Sequence, residues 1–122
     1  MGQSEAASVT NSIGDLFTKC GHLYVTNTCY VHLHFYVKEP IVAQYLANIL
    51  GARVAEHRRV YDVVVSKRAK LLRACERIIQ YPLSEGHKRA LTLAIHYARE
   101  VDAAQRRGMA LQLKGLTSST RT

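Results

Sequence analysis

The chain has 122 residues, 48% of them hydrophobic, which suits one domain with a real core and speaks against disorder. Seventeen basic residues against nine acidic ones give a net charge of +8. A small domain this basic favours a polyanion, nucleic acid first, with an anionic membrane surface or a merely soluble basic protein as the blander readings.

No apolar run nears the ~20 residues of a membrane span, and the N-terminus has neither the basic flank nor the apolar core of a secretion signal. Three cysteines without paired spacing, Cys20, Cys29 and Cys75, point to free thiols in an intracellular, reducing compartment.

Residues 1–8 are small and polar and are expected as a loose arm before a domain spanning 9–108. Ile13, Leu16 and Phe17, spaced i, i+3, i+4, predict a short helix from Ile13 to Cys20. Gly21, able to turn left-handed, is expected to stop it. Alternation then predicts a strand from His22 to Thr26, a turn at Thr26-Asn27-Thr28 with Asn27 at positive φ, and a second strand from Cys29 to Val37. Glu39-Pro40 opens a helix with an apolar stripe of Ile41, Val42, Tyr45, Leu46, Ile49 and Leu50, ended by Gly51. A second hairpin has arms Arg53 to His57 and Val60 to Val65, with Arg58 and Arg59 near its turn. Ser66 is placed to cap a helix from Lys67 to Gln80, which Pro82 breaks. Ser84 caps a last long helix reaching Arg107, with Leu91, Ala94, Ile95, Ala98 and Val101 inward and Gly108 as its end. Residues 109–122 form a C-terminal segment, with a turn of helix to Leu116 and a polar tail. The expected fold is α+β: a four-stranded antiparallel sheet of two β-hairpins with helices on one face.

On that reading one side of the sheet is aliphatic. The other carries His22, Tyr24, Tyr30, His32, His34, Tyr36, Arg53 and His57, with Arg58 and Arg59 at a hairpin tip. Half-buried sheets usually put Thr, Lys and Glu on the wet face. Histidine, tyrosine and arginine instead stack on bases and donate to phosphate. A second basic surface is Lys67, Arg68, Lys70, Arg73 and Arg77, extended by His87, Lys88, Arg89, Arg99, Arg106 and Arg107. Solvated helix faces, or an aromatic face covered by protein, are the alternatives.

The stretch S-I-G-D-L-F-T-K-C-G-H-L-Y-V, Ser12 to Val25, resembles the signature helix and first strand of the LAGLIDADG homing endonucleases, without a gap. The order of helices and hairpins from Ser12 to about Arg107 is similar to one domain of that family, in which two domains form the active unit; no internal repeat is visible here. The resemblance implies a divalent metal held by carboxylates at the helix end, where this chain has Thr18 and Cys20. It also implies a second-strand polar group and a lysine before the last helix, positions that hold Tyr36 and Ser84, with Lys88 competing if the register slips. The site is therefore read as degenerate, with no catalytic residues, no metal and no cofactor. Asp15, where the family has glycine, is costly to bury unpaired. Ile13, Gly14 and Phe17 are the positions the resemblance offers to a protein partner.

The reading is a non-catalytic nucleic-acid-binding protein derived from such an endonuclease. It favours structured RNA over DNA, within a ribonucleoprotein such as an organellar ribosome or a splicing complex, because the hairpins are short and relatives of the fold serve as splicing maturases. Its rivals are an active, homodimeric, magnesium-dependent DNA endonuclease and a protein-interaction domain. A zinc site from Cys20, His22, Cys29, His32 and His34 lacks paired spacing, and a Cys20–histidine nucleophile pair lacks an orienting acid.

Overall fold

The computed structural model describes residues 13–119. The expected arm at 1–8 and the last residues of the polar tail lie outside that range. Among the described residues the order is α1 (Ile13–Cys20), β1 (Gly21–Val25), β2 (Val31–Val37), α2 (Pro40–Leu50), β3 (Arg53–His57), β4 (Val60–Val65), α3 (Arg68–Ile78), α4 (Glu85–Arg99) and α5 (Ala103–Ser119). No helix among them is long and apolar enough to cross a membrane. The four strands form one antiparallel sheet in the order β1-β2-β4-β3. Each hairpin keeps its own pairing, and the hairpins meet through β2 and β4, with Phe35 opposite Val63.

The two-residue period decides the faces. Leu23, Val25, Val31, Leu33, Phe35, Val37, Val63 and Val65 turn inward and are buried. They meet Ile13 and Phe17 of α1, Leu46 of α2, Leu71 and Ile78 of α3, Leu91 of α4 and Leu113 of α5 in one core. Phe17 packs edge-on to Phe35 with ring centroids 6.4 Å apart. Cys75, expected in the core, is fully buried.

Several local expectations are corrected. Gly21 does not take a left-handed conformation, and it begins β1. Its hydrogen matters for another reason: a Cβ there would lie 2.8 Å from the Phe17 Cα, so strand and helix close on each other only around glycine. In the first turn Cys29, not Asn27, has positive φ (66°). Cys29 N–H donates to Thr26 O at 2.9 Å, and the second strand starts at Val31. That is a turn followed by a left-handed residue, a common three-residue hairpin connection. Lys67, not Ser66, is the residue before α3, and it makes no side-chain cap. Gly51 does end α2 left-handed, with φ 64°.

The largest departure lies beyond Arg99. The expected single helix to Arg107 breaks at Glu100, and α5 runs on through Gly108. Asp102 starts α5 by accepting Gln105 N–H on Oδ2 at 2.9 Å. Arg68 and Arg106 both donate to Glu100 O, at 3.0 and 2.9 Å, and hold the corner. Val101, expected inward, stands 90% exposed in the break. The spacing Asp102…Gln105 is a helix-start signature that a strong apolar period over the preceding turns obscures.

Candidate nucleic-acid interface

The outer face of the sheet is built by the alternate residues of the same strands. Register places His22 opposite His34, and Tyr24 opposite His32. Across β4 it places His34 opposite Val64 and Tyr36 opposite Asp62, while Arg53 faces Val64 from β3. The rings pack on one another: His22 stacks on His34 (5.4 Å, 13° between planes) and on Tyr36 (5.0 Å, 22°). His34 also stacks on Tyr36 at 5.9 Å and takes Tyr24 edge-on at the same separation. Such pairs hold rings in place beyond what burial alone would do.

Within this ladder the roles divide. The His34 side chain is only 14% exposed, and its Nδ1–H donates to Asp62 Oδ1 at 2.9 Å. His34 is thus the spine of the platform, not one of its open contacts. Tyr24, Tyr30 and Tyr36 are the open rings, 47%, 60% and 45% exposed. Burial lowers the pKa of His32, and the neighbouring His34 and Arg53 add to it. Burial raises that of Tyr36, helped by the Asp62 carboxylate and Tyr24. Asp62 was missing from the sequence reading; its signal was a lone acid alternating onto a basic, aromatic face.

Arg53 and His57 are exposed on the edge strand β3. Arg58 and Arg59 form the two-residue turn between His57 and Val60, with φ of 52° and 69°. A turn of this geometry normally favours Asn-Gly. Two arginines held left-handed make a strained, charged tip.

The second basic set is elsewhere. Leu71, Ala74, Cys75 and Ile78 anchor α3 to the inner core, so Lys67, Arg68, Lys70, Arg73 and Arg77 stand on the helical side, with the sheet between them and the aromatic face. Arg68 is engaged with Glu100 O, and Arg99 pairs with Glu76. Lys88 and Arg89 are exposed on the first turns of α4. The α3 set therefore does not share a face with the aromatic rings.

At the end of α1, Thr18 Oγ1 donates to Gly14 O at 3.0 Å and Cys20 Sγ donates to Leu16 O at 3.1 Å. Both side chains are turned back into their own helix. Burial pushes the Cys20 thiol up, partly offset by Lys19 and reinforced by Glu39, so the neutral form is favoured. A bonded hydroxyl and a neutral thiol do not fit the hard divalent metal that the resemblance implies, which wants charged oxygens. Among the described residues no three His, Cys, Asp or Glu side chains converge as a metal site. Ser84 accepts His87 N–H at 3.1 Å and caps α4. Cys29, on the buried side, is not gathered with the sheet histidines.

The expected partner-facing positions are corrected too. Ile13 and Phe17 are 0% and 1% exposed, inside this chain's own core. Gly14 is covered by Tyr81, whose Cγ would lie 2.5 Å from an added Cβ. Asp15, Thr18 and Lys19 are the outward residues of α1, so Asp15 is not buried unpaired.

Neither a protein-family model nor a curated protein sequence matches the chain. Its fold does match solved structures. The homing endonuclease I-CvuI in complex with its target is 12% identical, with a TM-score of 0.70, over 95% of this chain and 85% of that one. The archaeal intron-encoded homing endonuclease I-Vdi141I complexed with DNA is 15% identical, with a TM-score of 0.68, over 92% of this chain and 85% of that one. The LAGLIDADG meganuclease I-AabMI bound to uncleaved DNA matches at 12% identity and TM-score 0.52, over 66% of this chain and 31% of the other. The chain thus has the LAGLIDADG homing-endonuclease fold as a single domain.

Proposed function

We propose that this single LAGLIDADG-like domain is a non-catalytic nucleic-acid-binding protein that holds structured RNA on the outer face of its sheet, within a ribonucleoprotein. The observation that carries this reading is the preorganised ring ladder of His22, His34 and Tyr36, bordered by open tyrosines and by Arg53, Arg58 and Arg59. Stacked rings lose little freedom on binding, and bases splayed from a loop or bulge find π-faces there. The arginines answer the phosphates. That solved proteins of this fold sit on DNA supports a nucleic-acid partner of some kind.

RNA is favoured for two reasons. The strands are short, five to seven residues, and the second hairpin turns in two, so the ribbon spans few base pairs of a groove. The positions that would carry cleavage hold side chains tied into α1. A protein partner in such a particle would meet α1 through Asp15, Thr18 and Lys19.

The test is anisotropy with a bulged RNA hairpin and a DNA duplex across salt concentrations, together with plasmid incubation in Mg²⁺. Tighter binding to RNA, weakening linearly in log–log with salt, is expected from counterion release. Sequence-specific nicking overturns the non-catalytic reading, and salt-independent retention overturns the charge-driven one.

A further inference from the structure

A groove of about 910 Å³ runs along the outer edge of β1, between that strand, the start of α4 and the C-terminal part of α5. It lies at the upper end of the ~300–1,000 Å³ usual for small-ligand sites. Its walls combine three chemistries: Tyr24 and Tyr36 supply rings, Asn27 an amide, and Arg89 and Lys114 cations, over an apolar floor that includes Leu23. The groove wraps the strand edge, because residues of both sheet faces line it: Leu23 turns inward and Tyr24 outward.

We infer that this groove is a binding site for a short stretch of unpaired single strand, with bases against Tyr24 and Tyr36 at separate points along β1 and phosphates against Arg89 and Lys114. The inference rests on the RNA reading above and extends that site around the edge of β1, since Tyr24 and Tyr36 belong to both. A planar heterocycle needs aromatic and apolar walls, its polar edge needs a group that both donates and accepts, as the Asn27 amide does, and its phosphate needs cations. All three line this one groove along β1. A duplex is too wide to follow a groove around a single strand edge, so the site selects a base already out of its helix. The sheet face takes bases splayed from the structured region, and the groove takes the single strand that runs on from them. Lys114 reaches this place only because the chain breaks at Glu100 and returns as α5 along β1.

Arg89 and Lys114 are exposed, so replacing them leaves the core intact. The experiment titrates ¹⁵N-labelled full chain with adenosine 5′-monophosphate and, separately, inorganic phosphate. It then measures affinity for a short single-stranded RNA and for a blunt RNA duplex. Adenosine monophosphate is expected to move the amides of Tyr24, Asn27 and Lys114, and phosphate alone is not expected to reproduce the pattern. Arg89→Ala and Lys114→Ala should each weaken the single strand by about tenfold, the loss of one charge-assisted contact, with the duplex little changed. The inference is overturned if the nucleotide moves none of these amides, if phosphate reproduces all the shifts, or if both RNA forms weaken alike. Should the nucleotide shift the groove amides while no duplex or hairpin binds at all, the groove stands and the sheet-face reading falls.

Discussion

Replacing Arg58-Arg59 by Asn-Gly separates function from fold at the hairpin tip. Both arginines are left-handed, with φ of 52° and 69°, in a two-residue turn closed by the His57–Val60 pair. The left-handed conformation costs an L-residue roughly 1–2 kcal/mol. Asparagine tolerates it better and glycine is free of it, although glycine returns about 0.5–1 kcal/mol through its unfolded-state entropy. The double variant should therefore be more stable by about 2 kcal/mol, or roughly 8 °C in Tm for a domain of this size. It should also bind RNA more weakly. Losing two phosphate contacts makes the log K against log salt plot shallower by about 1.5. Urea titration and anisotropy over a salt series give the two readings. A destabilised variant refutes the strain argument, and an unchanged salt slope refutes the role of the tip in holding phosphate.

Phe17→Ala removes a ring that is 1% exposed and should cost about 3–5 kcal/mol, with no change of mass in sedimentation; dissociation of an oligomer without loss of stability would restore a partner-facing role. His32 is lowered in the fold, by burial and then by His34 and Arg53, so the unfolded chain binds more protons near and below its ordinary value of about 6.5. Stability is then complete above that value and falls as pH drops through it toward the folded value, and His32→Gln should flatten that decline in urea titrations at stepped pH; an unaltered decline refutes the burial argument. Thr18→Asp with Cys20→Asp should yield no Mg²⁺-dependent nicking of plasmid, because Ser84 is committed to capping α4 and Tyr36 to the ring ladder; cleavage by this variant would show that the two acids alone were missing.

Much of the fold is legible because its signals are local. The arms Arg53–His57 and Val60–Val65 and the helix Ile13–Cys20 are read from period and turn chemistry alone, and all three stand where expected. The corner at Glu100 is not legible in the same way. The apolar period runs smoothly into Ala98 and Val101, and the corner is held in part by Arg68, thirty-two positions away, which donates to Glu100 O alongside Arg106. Gly21 shows the same limit: a helix stop and a point of close approach have one sequence signature, and only the 2.8 Å from an added Cβ to Phe17 Cα separates them.

The sequence by itself determined which side of each strand every residue takes, since alternation is a property of the extended backbone. It therefore determined that His22, Tyr24, His32, His34 and Tyr36 share one face. The tertiary structure decided what each face meets. It buried Ile13 and Phe17 in the chain's own core, set Asp62 against His34, and put the α3 cations behind the sheet. It also laid α5 beside β1, so that Lys114 joins Tyr24 and Arg89 in one groove. Periodicity fixes direction along a single element, whereas proximity comes from packing between elements far apart in the chain.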